Sequence, residues 1–466
     1  MSEPLADRLE HDSLGEVWVP GHAYYGAQTV RAVQNFPISG VTLAHLPTLL
    51  RALAQVKHAA ALTNHALGHL PEPKLHAIAA AATEVANGAL RDHFPVDVMQ
   101  GGAGTSTNMN MNEVLANRGL ELLGHRRGEY QHLHPNDDVN LSQSTNDAYP
   151  TAVRLGVLLA CAPLQQALET LAAVFEQKSE QFAHVVKLGR TQMQDAVPMT
   201  LGQELGAYAV TIREDVSRIN ESMPLLSEVN LGGTAIGTRI NAPAAYGPLA
   251  IGELSRLSGF ALVQSVNLVE ASWDMGGFVM FSGLLKRVAS KLSKISNDLR
   301  LLSSGPRGGF GEIALPAMQP GSSIMPGKVN PVIPEVMNLV CFQVIGNDLA
   351  ITMAAEAGQL QLNAFEPLIA HNLLASMSLL TNAIGTLTTR CVMGIEAREE
   401  NCTRHVEASV GAATALVPII GYERAAALAQ EALATGRTIR ALAQVSLGLT
   451  DAEVSALLSP AALTGR

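Results

Sequence analysis

The chain has 466 residues, of which 47% are apolar and only 4% aromatic, and it carries a formal net charge of −10. That length allows two or three domains with substantial cores, and an interior of Ala, Leu, Val and Met is that of packed helices, not of a sandwich or barrel. The negative balance excludes broad, non-specific nucleic-acid binding, so an anionic ligand needs a local cluster of donors. Residues 1–142 read as a mostly helical domain with loops at Asp12–Phe36 and Phe94–Asn112. Its first residues, Met-Ser-Glu-Pro-Leu-Ala-Asp-Arg, show no basic stretch followed by an apolar run, so no secretory signal is expected. A central domain at 143–395 follows, built on long helices. Leu164, Leu168, Leu171 and Phe175 form one apolar stripe, and Leu201, Leu205, Tyr208 and Ile212 begin another. From Phe278 to Leu302 the apolar residues alternate at three and four (Phe278, Phe281, Leu285, Val288, Leu292, Ile295, Leu299, Leu302), which predicts a long helix buried along a heptad seam. Segments near 333–357 and 368–394 also read as long helices, and residues 396–466 as a small C-terminal helical domain. Apolar stripes on this many helices exceed what one chain covers, so self-association is expected.

Between the helices, residues 303–337 are dense in glycine and proline and read as one long functional loop. No uncharged apolar run is read as reaching the roughly 18 residues of a membrane span. Cys161, Cys341, Cys391 and Cys402 are scattered without metal-ligand spacing, as expected of reduced, buried thiols in a cytoplasmic protein. The 14 histidines are dispersed, and structural or surface roles are expected of each.

Four polar segments stand at expected helix boundaries: Gly101–Asn108, Ser142–Asp147, Gly189–Asp195 and Gly321–Asn330. On residues alone, Gly101–Asn108 reads first as a turn followed by an N-cap, Ser142–Asp147 either as a helix cap or as a carboxylate site, and Gly189–Asp195 as a connecting turn, with nothing in that segment deciding for a further role. A dinucleotide loop is excluded at Gly101–Asn108, because the spacing is not GxGxxG and no strand pattern precedes it. The fourth, Gly-Ser-Ser-Ile-Met-Pro-Gly-Lys-Val-Asn, carries two hydroxyls, a lysine and an asparagine in a stretch that cannot be regular helix or strand. It reads as a catalytic loop acting on a small dicarboxylate.

Taken together and in this order, the four segments resemble the aspartase/fumarase superfamily over nearly the whole chain. Gly321-Ser-Ser-Ile-Met-Pro-Gly-Lys-Val-Asn-Pro is similar to the superfamily's shared loop, and Tyr24-Tyr-Gly-Ala-Gln-Thr-Val-Arg fits both of its main branches. Ala103 stands where fumarases typically carry a serine, and Gln192 where they carry a histidine; aspartases are found with either residue at the latter position. The resemblance therefore favours the aspartase branch. It implies an all-α, three-domain fold whose long helices form the core of a homotetramer, with active sites shared between three subunits. It implies reversible elimination of ammonia from L-aspartate to give fumarate, with class II fumarate hydratase or another lyase of substituted succinates as the alternative. No organic cofactor is implied; some relatives respond to a divalent metal such as Mg2+ as an activator, and no ligand cluster in the sequence places one. Neither nucleic acid nor membrane is an expected partner.

By the same resemblance, Ser322 is the general base on a mobile loop. Thr105, Ser144, Thr145 and Ser323 are the donors facing the β-carboxylate, where charge builds in the transition state. Lys328 and Asn330 anchor the α-carboxylate with Thr191 assisting, Asn146 and Gln192 face the amino group, and Met325 completes the substrate-binding set. A fumarase needs an imidazole paired with a carboxylate, here at the position of Glu335, to handle water. An ammonium that leaves already protonated needs only a neutral amide such as Gln192.

Overall fold

The structure is a computed structural model that describes residues 6–464, so Met1–Leu5 of the stretch read for a secretory signal lie outside the described residues. Two strands, β1 (Arg8–Asp12) and β2 (Gly15–Val19), pair antiparallel across a tight turn at Gly15, whose φ of +116° suits only glycine. Helix α1 (Ala27–Asn35) follows, then α2 (Pro47–Ala66), α3 (Glu72–Ala86) and α4 (Thr105–Leu122). The loops expected at Asp12–Phe36 and Phe94–Asn112 are thus corrected, the first holding a strand and a helix and the second the opening turns of α4. The start of α1 has no cap of its own. Buried Glu113 on α4 supplies one, accepting the backbone N–H of Gly26, Gln28 and Thr29 at 2.8, 2.8 and 3.1 Å. Burial, helped by the nearby Glu10 charge, pushes the Glu113 carboxyl up to about 7, against the Thr29 hydroxyl and the N–H groups of Gly26 and Gln28.

The long helices are α5 (Thr145–Gln181), α6 (Leu201–Ser227), α8 (Gly276–Leu302), α9 (Val332–Glu356) and α10 (Glu366–Arg390), with the shorter α7 (Tyr246–Ser258) between α6 and α8. Each residue of the heptad seam on α8 is buried, as are the four of the α5 stripe and the four that open α6. The fold is all-α; every sheet among the described residues is a two-stranded ribbon. Helix α9 begins five residues before the expected end of the 303–337 loop. Pro334 is its third residue, a first-turn position whose N–H has no helical partner to lose.

The described residues form two compact units interleaved along the chain. One comprises Met1–Leu164, Arg218–Arg287 and Gln343–Leu379, the other Gln165–Ser217, Val288–Phe342 and Leu380–Arg466. All five boundaries fall inside α5, α6, α8, α9 and α10. In the second unit the C-terminal helices close on an apolar cluster that includes Leu416, Leu428, Ile439, Leu442 and Val454. All four cysteines are free and buried, and burial pushes each thiol up to about 12. Contrary to expectation, Thr145–Gln181, Val332–Glu356 and Glu366–Gly394 are long and apolar enough to cross a membrane by length and composition. Uncharged polar residues such as Asn372 and Ser376 break the apolar run of α10 without lowering its mean hydropathy enough to exclude it. In the folded chain, 50%, 33% and 56% of the three apolar windows are buried against protein.

Candidate active site

Within the first unit, two helix N-termini are brought side by side. Gly104 precedes α4 with φ +90°, and a Cβ placed on it would lie 2.5 Å from the ring of Tyr149 on α5. The missing side chain is what lets the start of α4 lie on α5. One turn further on, Asn108 Nδ2 donates to Thr145 Oγ1 at 3.1 Å. Thr105 is thereby the first residue of α4 and Thr145 the first of α5, with Ser144 as its cap. Ser144 Oγ accepts the N–H of Asn146 at 3.2 Å, and Asp147 Oδ1 accepts the N–H of Ser144 at 2.9 Å, a reciprocal cap. Asn146 is also held from both sides: its Nδ2 donates to Ala235 O, and its carbonyl accepts from Asn230 Nδ2. Adjacent positive helix ends lined with hydroxyls make a ready carboxylate site. Gly104→Ala should cost about 2–4 kcal/mol of stability through the ring clash and the left-handed backbone. Thermal denaturation checks it, and an unchanged midpoint would contradict this packing.

Beneath these residues lies a cation that sequence reasoning missed. Lys57 on α2 is fully buried, and its Nζ donates to Asn140 Oδ1 and Gln143 Oε1 at 2.8 and 2.9 Å. Asn140 Oδ1 also accepts from Asn108, so the lysine, both asparagines and Thr145 form one chain of hydrogen bonds. Burial pulls the Lys57 ammonium down to about 7, opposed by Asp147. Burial also pushes the Asp147 carboxyl up to about 6, opposed by the N–H groups of Ser144, Thr234 and Gly232 and by Lys57. Between about pH 7 and 10.5 the unfolded chain holds a Lys57 proton that the folded chain lacks. This group therefore makes stability rise with pH, by up to about 1.4 kcal/mol per unit. In Lys57→Met that slope is expected to vanish. Urea denaturation at pH 7 and 9 should show wild type gaining on the variant, and parallel behaviour would refute the assignment.

The second unit carries the other sequence-predicted residues. Strands β3 (Val186–Thr191) and β4 (Gln194–Thr200) form a hairpin, so the segment 189–195 is not a bare connecting turn. Its two-residue tip is Gln192–Met193, with φ of +53° and +63°. Two left-handed non-glycine residues in succession are costly where Asn-Gly would serve, a mark of side chains kept for another reason. Thr191 and Gln192 are both exposed at this tip. The hairpin's base is fixed by a buried charge network. Lys187 Nζ lies 2.9 Å from Glu204 and 3.2 Å from Glu312, and Arg190 Nη1 and His405 Nδ1 lie 2.8 and 3.0 Å from Glu312 Oε1. Burial pushes the Glu312 carboxyl up, but Lys187, His405 and Arg190 outweigh it and hold the group below the usual carboxylate range. Arg190 also stacks over Phe310 at 4.0 Å, tying the hairpin to the part of the 303–337 segment that precedes the Gly321–Asn330 loop.

That loop is pinched at its stem. Gly321 N donates to Lys328 O at 2.8 Å and Asn330 Nδ2 donates to Gly321 O at 2.9 Å. A Cβ on Gly321 would lie 2.3 Å from Lys328 O, so only glycine closes the stem. Ser323, Met325 and Lys328 are exposed at the tip, and Ser322 is half-buried. Ser322 Oγ accepts the N–H of Ile324 and of Met325 at 3.2 and 3.0 Å. Two donors aimed at one hydroxyl oxygen favour its deprotonated form.

Away from these segments, His125, Glu129 and His132 place ligand atoms within 4.8 Å of one another, a grouping not read from the sequence. They have the i, i+4, i+7 spacing of one helix face, yet lie in an irregular connection after α4. His65 and His69, four apart in sequence, straddle the end of α2 at Ala66, and His65 Nδ1 lies 2.9 Å from Leu70 O.

The chain matches the family described as Lyase over residues 15–346, and the one described as Fumarase C C-terminus over residues 413–465. It belongs to the aspartase/fumarase lyase family. It is 57% identical over 461 residues to an aspartate ammonia-lyase of Pseudomonas canavaninivorans, covering 99% of this chain and 97% of that one. Among solved structures, a fumarate lyase:delta crystallin from Brucella melitensis bound to cobalt matches with a TM-score of 0.95 and 62% identity, over 98% of this chain and 99% of that one. A recombinant class II fumarase from Schistosoma mansoni matches with a TM-score of 0.92 and 37% identity, over 98% of each chain. The fold is thus shared with both solved structures, while sequence identity separates the aspartate ammonia-lyase, at 57%, from the fumarase, at 37%.

Proposed function

We propose that this lyase is an aspartate ammonia-lyase, converting L-aspartate reversibly to fumarate and ammonia. The observation that carries the reading is 57% identity along nearly the full chain to an enzyme of that name, against 37% to a class II fumarase. Gln192 agrees with it, since an amide at the hairpin tip cannot titrate as water chemistry would need. The chemistry starts at the carbon beside the β-carboxylate. Ser322, as alkoxide, takes a proton there, and the electron pair moves into the β-carboxylate to form a dianion. Collapse of that dianion forms the carbon–carbon double bond and breaks the C–N bond. The amine, already protonated, departs as ammonia with the bonding electrons, and the proton on Ser322 returns to solvent. Thr105, Ser144, Thr145 and Ser323 stabilise the dianion, and the paired N-termini of α4 and α5 support this role. Lys328, Asn330 and Thr191 hold the α-carboxylate, Asn146 and Gln192 face the ammonium, and Met325 lines the closed loop. The hydrogen bonds from Ile324 and Met325 to Ser322 support its role as base.

The protomer is read as three domains (1–142, 143–395 and 396–466) in a cytoplasmic homotetramer whose active sites draw on three subunits, with neither membrane nor nucleic acid as partner. Leu339, Phe342, Leu349 and Met353, exposed along α9, support burial of that helix against other copies. No organic cofactor takes part; a divalent metal such as Mg2+ acts at most as an activator, a role consistent with the cobalt-bound relative. Incubating the purified protein with aspartate or malate and following fumarate by ultraviolet absorbance tests the reading. Fumarate from aspartate is expected; activity with malate alone would make the enzyme a fumarase.

A further inference from the structure

We infer that His125, Glu129 and His132 form a binding site for a transition-metal dication of the Co2+ or Zn2+ type, separate from the residues assigned to catalysis. The inference stands independently of the proposed substrate.

The cluster is made by backbone turns. Helix α4 ends at Leu122, and the φ of +81° at Gly124 just beyond it lets the N–H of His125 turn back to Leu120 O at 2.8 Å. Gly128, at φ +84°, reverses the chain again. Glu129 N then bonds Arg126 O, and His132 N bonds Glu129 O at 3.0 Å. These turns lay the His125 and His132 rings parallel, with centroids 3.7 Å apart and planes 2° from each other. His125 Nδ1 lies 3.8 Å from Glu129 Oε2.

Two ligands of one ion, each about 2.1 Å from it, stand up to about 4.2 Å apart. Bringing ligand atoms that now lie within 4.8 Å of one another onto one ion requires the stacked rings to turn out of parallel, a movement open to side chains that are at least partly exposed. Glu129 is oriented by the Arg126 N–H and Nε, which donate to its two carboxylate oxygens at 3.0 Å each. Its competitor is weak, because the Arg126 side chain is 91% exposed and that ion pair is bathed in water. Two imidazoles and one carboxylate suit Co2+, Zn2+ or Ni2+ and leave positions open for water. Mg2+ and Ca2+ prefer all-oxygen sites, so this is not where a magnesium activator would bind.

Co2+ is the probe, because its visible absorption reports nitrogen ligation. Titrating the full-length protein should give a saturable visible band at about one ion per chain, undiminished by equal Mg2+. His132→Ala should weaken Co2+ binding more than about 100-fold, since even partners one shell out from a metal are worth about 10–100-fold. Glu129→Gln should weaken it by a smaller factor and shift the band. Circular dichroism and lyase activity without added metal should match wild type in both variants. The inference is overturned if millimolar Co2+ gives no band, or if binding to His132→Ala and Glu129→Gln equals that to wild type.

Discussion

Replacing Ser322 by alanine should lower kcat for aspartate by at least about 1,000-fold while leaving the affinity for a non-reactive dicarboxylate such as succinate within about threefold of wild type. A positioned general base contributes about 100- to 10,000-fold, and alanine has no oxygen with which to accept the proton. The loop itself should survive the change. The Ile324 and Met325 N–H groups that now donate to Ser322 sit at an exposed tip, where water replaces the lost acceptor. The stem contacts among Gly321, Lys328 and Asn330 do not involve the serine side chain. Steady-state kinetics beside calorimetric titration separate the two effects. Equal loss of turnover and of succinate affinity would mean that Ser322 shapes the loop and takes no proton.

Lys328→Ala should reduce kcat/KM for aspartate by about 100- to 1,000-fold, with most of the change in KM. Its ammonium is exposed and has no ion pair among the described residues, so the charge is not spent on holding the fold together. Once a closed loop excludes water, truncating one member of a charge-assisted pair costs about 2–5 kcal/mol. Thermal stability should stay at the wild-type value, which distinguishes a lost substrate contact from a damaged loop. A fall of less than threefold in kcat/KM would remove Lys328 from the carboxylate site.

How far the sequence could be read depends on which physical signal each element leaves. Helix α8 was legible along its whole length, because eight apolar residues at three-and-four spacing repeat for seven turns and all of them are buried. The Gly321–Asn330 loop was legible for the opposite reason: glycine and proline forbid regular structure, so its hydroxyls and its lysine need another purpose. The hairpin of β3 and β4 left a weaker trace, since Gln192–Met193 takes a left-handed turn without the glycine that normally announces one. Helix α1 is only nine residues long and is capped by Glu113, some eighty residues away in sequence, so no local rule marks its start. Lys57 sits among alanines and leucines on α2, where a lone lysine reads as a solvated side chain until α2 packs against the 140–143 segment. The His125 cluster has the i, i+4, i+7 spacing of a helix face, but it sits in a non-helical connection turned by Gly124 and Gly128, so the spacing alone does not tell which atoms meet.

A crystal structure of the assembled protein with a bound non-reactive dicarboxylate tests most directly whether a serine loop completes a pocket at two helix ends. One carboxylate is expected against Thr105, Ser144 and Thr145, and the other against Lys328. Ser322 Oγ from a neighbouring copy or the same one should lie within about 3–3.5 Å of the carbon that would lose its proton. A ligand bound at the helix ends with every copy of Ser322 and Lys328 out of its reach would contradict the mechanism.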